Sequence, residues 1–266
     1  MTIRAVATDI DGTFLTNNRD YDRPLFQRVY QEMNDQGIRF IVASGDQYYF
    51  LRSLFPAEAD QLAFVAENGV LTIDKGTELY CGRLTPENAL AVWQYVSQLP
   101  GVHGVICGRK SAYVMKDAPQ GFKRGMRKFY TRVREISTFA DIQDDLIFKF
   151  ALTVPPTRLR EISHAIDTRF AGVIRATASG YGAIDLIIPG MDKSYGLKLL
   201  LDRWGLDPAE LAVFGDGEND LEMFELAGTS YAMGNAPANV QRAASQVIGT
   251  NDDQAVLHQL AHILEK

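Results

Sequence analysis

A chain of 266 residues, 46% of them hydrophobic, is long enough to bury a full core as one large domain or two smaller ones. A formal net charge of -6 and a pI near 5.3 argue against a protein that tracks nucleic acid by overall electrostatics. Two cysteines, Cys81 and Cys107, are too few for a disulfide framework and lack metal-site spacing, and no segment approaches the ~18 apolar residues that span a bilayer.

The amino terminus leads into an apolar strand without a signal-type run, so a soluble, cytoplasmic protein is expected. Residues 3–8 are short, apolar and rich in β-branched side chains, as in a strand covered on both faces of a parallel sheet. The strand runs into Asp9-Ile10-Asp11-Gly12-Thr13, where Gly12 ends it. A bend there can wrap the Asp11 region around the Asp9 carboxylate and leave backbone N–H groups free, a cup for a cation and an anion together. Turn chemistry alone is the plainer account of the same residues.

Residues 21–36 carry Leu25, Phe26, Val29, Tyr30 and Met33 at helical spacing, and Gly37 terminates them. Residues 38–43 form a second buried strand that closes on Ser44-Gly45. Strand, helix and strand imply a right-handed crossover, so both strand ends share one edge and Ser44 can face the cup. Its hydroxyl and nearby N–H groups suit an anion at the start of a helix over 46–54, although Ser there also serves as a plain N-cap. A third strand, 62–65, ends in Glu67-Asn68-Gly69. Residues 70–73 and 79–81 read as a hairpin around Asp74-Lys75-Gly76-Thr77.

From about Gly82 to Gly190 strands adjoin strands: a helix over 85–99, strands at 102–107 and 112–115, a strand at 148–154, a helix over 157–170 and a strand at 173–177. This is an α+β module with an antiparallel sheet inserted into an α/β domain. Between Lys116 and Arg134 the basic residues far outnumber the single acid, Asp117. That run reads either as a solvated face or as a surface attracting an anionic substrate. The α/β pattern resumes with Lys193 on the first turn of a helix to Trp204, and a buried strand at 211–214 ends in Gly215-Asp216-Gly217-Glu218-Asn219-Asp220. Asp216 and Asp220 can face the same edge as Asp9; helix capping also suits either of them. A strand at 229–233, a helix from Pro237 and a last helix to Glu265 complete the chain.

Four strand ends thus deliver Asp9 and Asp11, Ser44, Asn68, and Asp216 with Asp220 to one edge, where open parallel sheets bind ligands. A calcium loop is excluded because its sixth position must be Gly, and counting from Asp9 or Asp216 it is Phe14 or Leu221. No Gly-Lys-Ser/Thr loop or dinucleotide glycine fingerprint occurs. Several carboxylates in one cup need a cation, and Mg2+ with a phosphate oxygen fits their type. Asp9 can then attack phosphorus while Asp11 protonates the leaving alcohol and later activates water, with Lys193 and Ser44 around the transferring group.

In order and spacing, Asp9-Ile10-Asp11-Gly12-Thr13, Ser44, Lys193 and Gly215-Asp216-Gly217-Glu218-Asn219-Asp220 resemble the four motifs of the haloacid dehalogenase-like hydrolase superfamily. The insertion, with Glu67-Asn68-Gly69 and Met233-Gly234-Asn235-Ala236, is similar to its Cof-type sugar-phosphatase branch with a subtype-B cap. The resemblance implies an α/β, Rossmann-like parallel-sheet core, residues 1–82 and 190–266, with an inserted α+β cap domain, residues 83–189. It implies Asp9 as nucleophile and Asp11 as acid/base. Mg2+ would be held by Asp9, the Asp11 backbone carbonyl and Asp216, with Asp220 in support. Phosphate would be bound by Ser44, Gly45, Lys193 and Asn219, and the Gly12 bend and Asn68 complete that set. Arg usually follows the Gly of the second motif; Asp46 stands there and reverses the charge.

The expected function is a Mg-dependent phosphomonoesterase for small phosphorylated metabolites, sugar phosphates foremost, acting through an aspartyl-phosphate. Phosphoryl transfer as in a phosphomutase, or a non-catalytic metabolite-sensing protein, are the alternatives. The expected partner is a small phosphorylated metabolite, with no nucleic acid, membrane or obligate protein partner. Tyr181, Asp185 and Arg109 are candidates for substrate contacts from the cap.

Overall fold

The structure, a computed structural model, describes residues 2–178 and 182–265. The chain opens with β1 (Ala5–Thr8), α1 (Arg23–Asp35), β2 (Arg39–Ala43), α2 (Tyr48–Leu54) and β3 (Ala63–Ala66), then the hairpin β4 (Leu71–Asp74) and β5 (Thr77–Cys81). Its middle holds α3 (Pro86–Val96), β6 (His103–Gly108), β7 (Ala112–Met115), α4 (Gln120–Met126), β8 (Val133–Ile136), β9 (Ile147–Thr153), α5 (Leu159–Arg169), β10 (Arg175–Ala178) and β11 (Ala183–Ile187). Then come α6 (Lys193–Trp204), β12 (Leu211–Gly215), α7 (Leu221–Leu226), β13 (Thr229–Ala232), α8 (Ala238–Ala243), β14 (Gln246–Val247) and α9 (Ala255–Leu264).

Among the described residues these strands make two sheets. The eight-stranded one runs β14-β13-β12-β1-β2-β3-β4-β5, parallel from β14 to β3, with the hairpin added antiparallel. From β1 the chain winds to β2 and β3 on one side, and from β12 to β13 and β14 on the other. The order therefore reverses between β1 and β12, which opens a crevice at their carboxyl ends. β1 is buried at every position, as its uninterrupted apolar run requires of a strand covered by helices on both faces. One face carries Phe14, Tyr21, Phe26, Phe40 and Phe55 packed together; Leu197, Leu200, Val213 and Met223 cover the other.

Local signals set the helix ends that matter to the crevice. Asp22 caps α1 by accepting from the Leu25 N–H, and Gly37 follows its end with φ of 70°. Asp192 likewise caps α6 through the Tyr195 N–H, which places Lys193 on the first turn. The helix expected over 46–54 begins only at Tyr48, because the Asp46 N–H donates to Ser44 Oγ and the Gln47 side chain is engaged elsewhere.

The second sheet runs β10-β11-β9-β6-β7-β8. It is antiparallel except for one pair: β7 and β8 run parallel, which corrects the all-antiparallel expectation. A parallel pair needs a crossover, and α4 supplies it. The basic run also divides. Lys123 is buried, its ammonium on the Lys116 carbonyl at 2.6 Å and Glu135 at 2.8 Å, so it is not part of a solvated face. Both cysteines are free, and burial pushes Cys107 up to about 12 and Cys81 to about 11. No described helix is long and apolar enough to cross a membrane.

Candidate active site

Asp9 follows β1 and Asp216 follows β12, the two strands that flank the crevice. Carboxylate oxygens of Asp9, Asp216 and Asp220 all lie within 4.8 Å of one another. The single ammonium among them is Lys193, fully buried, with Nζ at 2.6 Å from both Asp9 Oδ1 and Asp220 Oδ1. Asp220 is itself held by the Asp216 and Gly217 N–H groups, which donate to its Oδ2 at 2.9 Å. Thr13 Oγ1 donates to Asp216 Oδ1 at 2.8 Å. The backbone closes tightly here: Gly12 has φ of 75°, and a Cβ on it would strike the Asp216 carboxylate.

Burial pushes the Asp9 pKa well above the carboxylate range; Lys193 pulls it down, while Asp220 and Asp216 push it further up. Asp216 is raised to about 6, by burial first and then by the Asp220 charge. Burial alone would lower Lys193, yet Asp220 and Asp9 together carry it above its ordinary value. Three carboxylates with one ammonium leave an excess of buried negative charge. The donor set is all oxygen, and hard divalent cations bind through it. The residues present therefore fit a divalent metal.

Asp11 stands apart. Its side chain pairs with Arg19, Nη1 at 3.1 Å from Oδ1, and burial raises its pKa although Arg19 opposes the shift. Beside it lies Asp46, whose Oδ2 is buried without a hydrogen bond among the described residues, and whose pKa is driven well up by burial and then by Asp11. The carboxyl group at this position thus lies beside the candidate acid, in surroundings that disfavour its ionised form.

The remaining expected residues form a polar chain along the same edge. Asn219 Nδ2 donates to Asn68 Oδ1 at 3.2 Å, and Asn68 Nδ2 donates to Asp185 Oδ2 at 2.8 Å. Gly45 packs on the Asn68 amide so closely that a Cβ would lie 3.0 Å from it. Ser44 is buried after β2 and accepts from the Asp46 N–H at 3.1 Å. Arg109 is engaged by Glu78 at 2.5 Å and Tyr49 at 2.8 Å. Tyr181 lies outside the described residues.

Three participants had not been singled out from the sequence. Lys149 of β9 is buried with its Nζ 2.6 Å from the Gly45 carbonyl, 3.0 Å from Glu67 and 3.5 Å from Asp185. A lysine inside the apolar run Ile147–Thr153 was the available signal. Gln47 is buried and accepts the Thr131 and Arg132 N–H groups on Oε1 while donating to the Arg132 carbonyl. Arg19 sits in a polar loop that carried no signal.

The sequence profile of the haloacid dehalogenase-like hydrolase family matches residues 6–260. The chain belongs to this family. Among its relatives, the 5-amino-6-(5-phospho-D-ribitylamino)uracil phosphatase YbjI of Escherichia coli K12 is 38% identical over 265 residues, 100% of this chain and 97% of that protein. Among solved structures, SMU.1108c from Streptococcus mutans UA159 superposes with a TM-score of 0.95 at 34% identity, covering 100% of both chains. The subclass IIB sugar phosphatase BT4131 shares the fold, with a TM-score of 0.82 at 18% identity over 97% of this chain and 98% of its own.

Proposed function

We propose that this hydrolase is a Mg2+-dependent phosphomonoesterase for small phosphorylated metabolites, in which Asp9 is transiently phosphorylated. Residues 1–82 and 190–266 are its catalytic core and 83–189 its cap. The observation that carries the reading is the buried Lys193 ammonium bridging Asp9 and Asp220, with Asp216 in reach of both.

Lys193 engages Asp9 Oδ1, which leaves Oδ2 to attack phosphorus. As the new P–O bond forms, the bond to the leaving oxygen breaks, and Asp11 supplies the proton that oxygen needs. Asp11 then takes a proton from water, whose oxygen attacks the same phosphorus; inorganic phosphate leaves and the Asp9 carboxylate returns. Asp9, Asp216 and the Asp11 carbonyl would hold Mg2+, with Asp220 in support, and the ion would neutralise charge on the phosphoryl oxygens. Gly12, Ser44, Gly45, Asn68, Lys193 and Asn219 surround the phosphate.

The E. coli relative, named for a substrate with a phosphorylated ribityl arm, supports a phosphorylated polyol or sugar as the substrate class. The test is phosphate release from 4-nitrophenyl phosphate with and without Mg2+. Removing the metal with a chelator should abolish turnover, and Asp9→Asn should lower it by about 10³-fold or more. An Asp9→Asn enzyme as active as the parent would exclude the proposed nucleophile. A panel of sugar phosphates, nucleotides and flavin phosphates then narrows the substrate.

A further inference from the structure

Arg19 touches three parts of the molecule at once. Its Nη1 pairs with Asp11 at 3.1 Å; its guanidinium lies 4.5 Å from the Phe129 ring centroid and 5.3 Å from that of Phe50. Its Nη2 donates to the Lys128 carbonyl at 3.3 Å. Phe129 and Lys128 lie between α4 and β8 and so belong to the second sheet's unit, whereas Phe50 lies on α2, just after the Ser44 loop. The Arg19 backbone has φ of 58°, in the left-handed region that costs a non-glycine residue strain. Hydrogen bonds from the Arg19 N–H to Thr16 and from the Thr16 N–H to Asp20 hold the loop in that shape.

An ion pair exposed as this one is on both sides would by itself restrain Asp11 little. Two aromatic rings and a carbonyl around the guanidinium remove the freedom that makes such pairs weak. Two of those three partners come from the cap. We propose that Arg19 is a positioning residue that links seating of the cap to the orientation of Asp11, so that the proton reaches the leaving oxygen only with the cap in place. This rests on the reading of Asp11 as the general acid.

A positioning role for the acid predicts a loss that depends on how much the leaving group needs a proton. The parent and its variants are compared by kcat/KM, which reports the phosphorylation step, on 4-nitrophenyl, phenyl and benzyl phosphate. Nitrophenolate leaves unaided, whereas benzyl alkoxide must be protonated. Arg19→Met should lower kcat/KM on benzyl phosphate by about 10-fold or more and on 4-nitrophenyl phosphate by no more than about 3-fold. Arg19→Lys should recover part of the difference. Phe129→Ala, which keeps the ion pair and removes its cap platform, should shift the ratio the same way, and it supplies the reading if Arg19→Met does not fold.

Asp11→Asn is the control, with a larger selective loss on the benzyl ester. If Asp11→Asn shows that selectivity and the Arg19 and Phe129 variants fall equally on all three esters, or do not fall, the proposal is overturned and the acid assignment stands. If Asp11→Asn itself falls equally on the three, the acid assignment fails and the proposal with it.

Discussion

Asp216 illustrates how a single buried carboxylate makes stability respond to pH against the usual trend. Its pKa rises from 3.8 to about 6 in the folded chain, so the folded state binds the proton more tightly than the unfolded one. The group therefore costs stability above about pH 6, and the cost is relieved as pH falls toward its unfolded value. An ion-paired Asp with a depressed pKa would do the reverse. In chelator, urea unfolding between pH 4 and 7 should show the parent gaining stability relative to Asp216→Asn as pH is lowered. Parallel curves for the two proteins would refute the burial argument. Lys193 is the other residue that decides the site: it is fully buried, with its ammonium set within a group of three carboxylates.

At the scale of elements, the site depends on how closely the turn after β3 meets the start of α6. Glu67, Asn68 and Gly69 have φ of 56°, 57° and 90°, a left-handed run held by Lys149 on Glu67 and by Asp185 and Asn219 on Asn68. Gly69 has no room for a side chain, because a Cβ would strike the Asp192 carbonyl, at the cap of α6. Gly69→Ala combines that clash with an unfavourable φ and should destabilise the protein by about 1–3 kcal/mol or more. It should also cost activity, since Lys193 follows Asp192. Thermal melting and phosphate release on one preparation check both; a folded, fully active alanine variant would mean that the turn and helix can separate freely.

For the whole molecule, the question is what binds the second sheet to the first. Gln47 reaches across with hydrogen bonds of 3.0 and 2.9 Å from the Thr131 and Arg132 N–H groups and 3.0 Å to the Arg132 carbonyl. Lys149 reaches back to the Gly45 carbonyl at 2.6 Å. Both anchors grip the short loop after β2, which also carries Ser44. Gln47→Ala removes the acceptor of the Thr131 and Arg132 N–H groups, while the Arg132 carbonyl keeps its bond from the Ala112 N–H; the loss should lower stability by about 1–3 kcal/mol. Hydrogen exchange at the Thr131 and Arg132 amides should speed up markedly, while that of β1 follows only the global change. Unchanged protection at those amides would show that the contact is not what seats the cap.

The carboxylates and their shared edge were legible from sequence alone, for a physical reason. A short apolar run between helices must be a buried parallel strand, and right-handed crossovers put the ends of all such strands on one side. Asp9, Ser44, Asn68 and Asp216 are therefore brought to one edge whatever their neighbours do. Contacts between segments far apart in the chain obey no such rule. Arg19 meets Lys128 across 109 positions and Lys149 meets Gly45 across 104. The pairing of Arg109 with Glu78 belongs to the same class, whereas the parallel β7–β8 pair and the burial of Lys123 are set by packing inside the second sheet's own unit. The contacts that cross between the sheets were settled by how two independently patterned sheets dock, and docking is decided by side-chain packing and buried charge rather than by local periodicity.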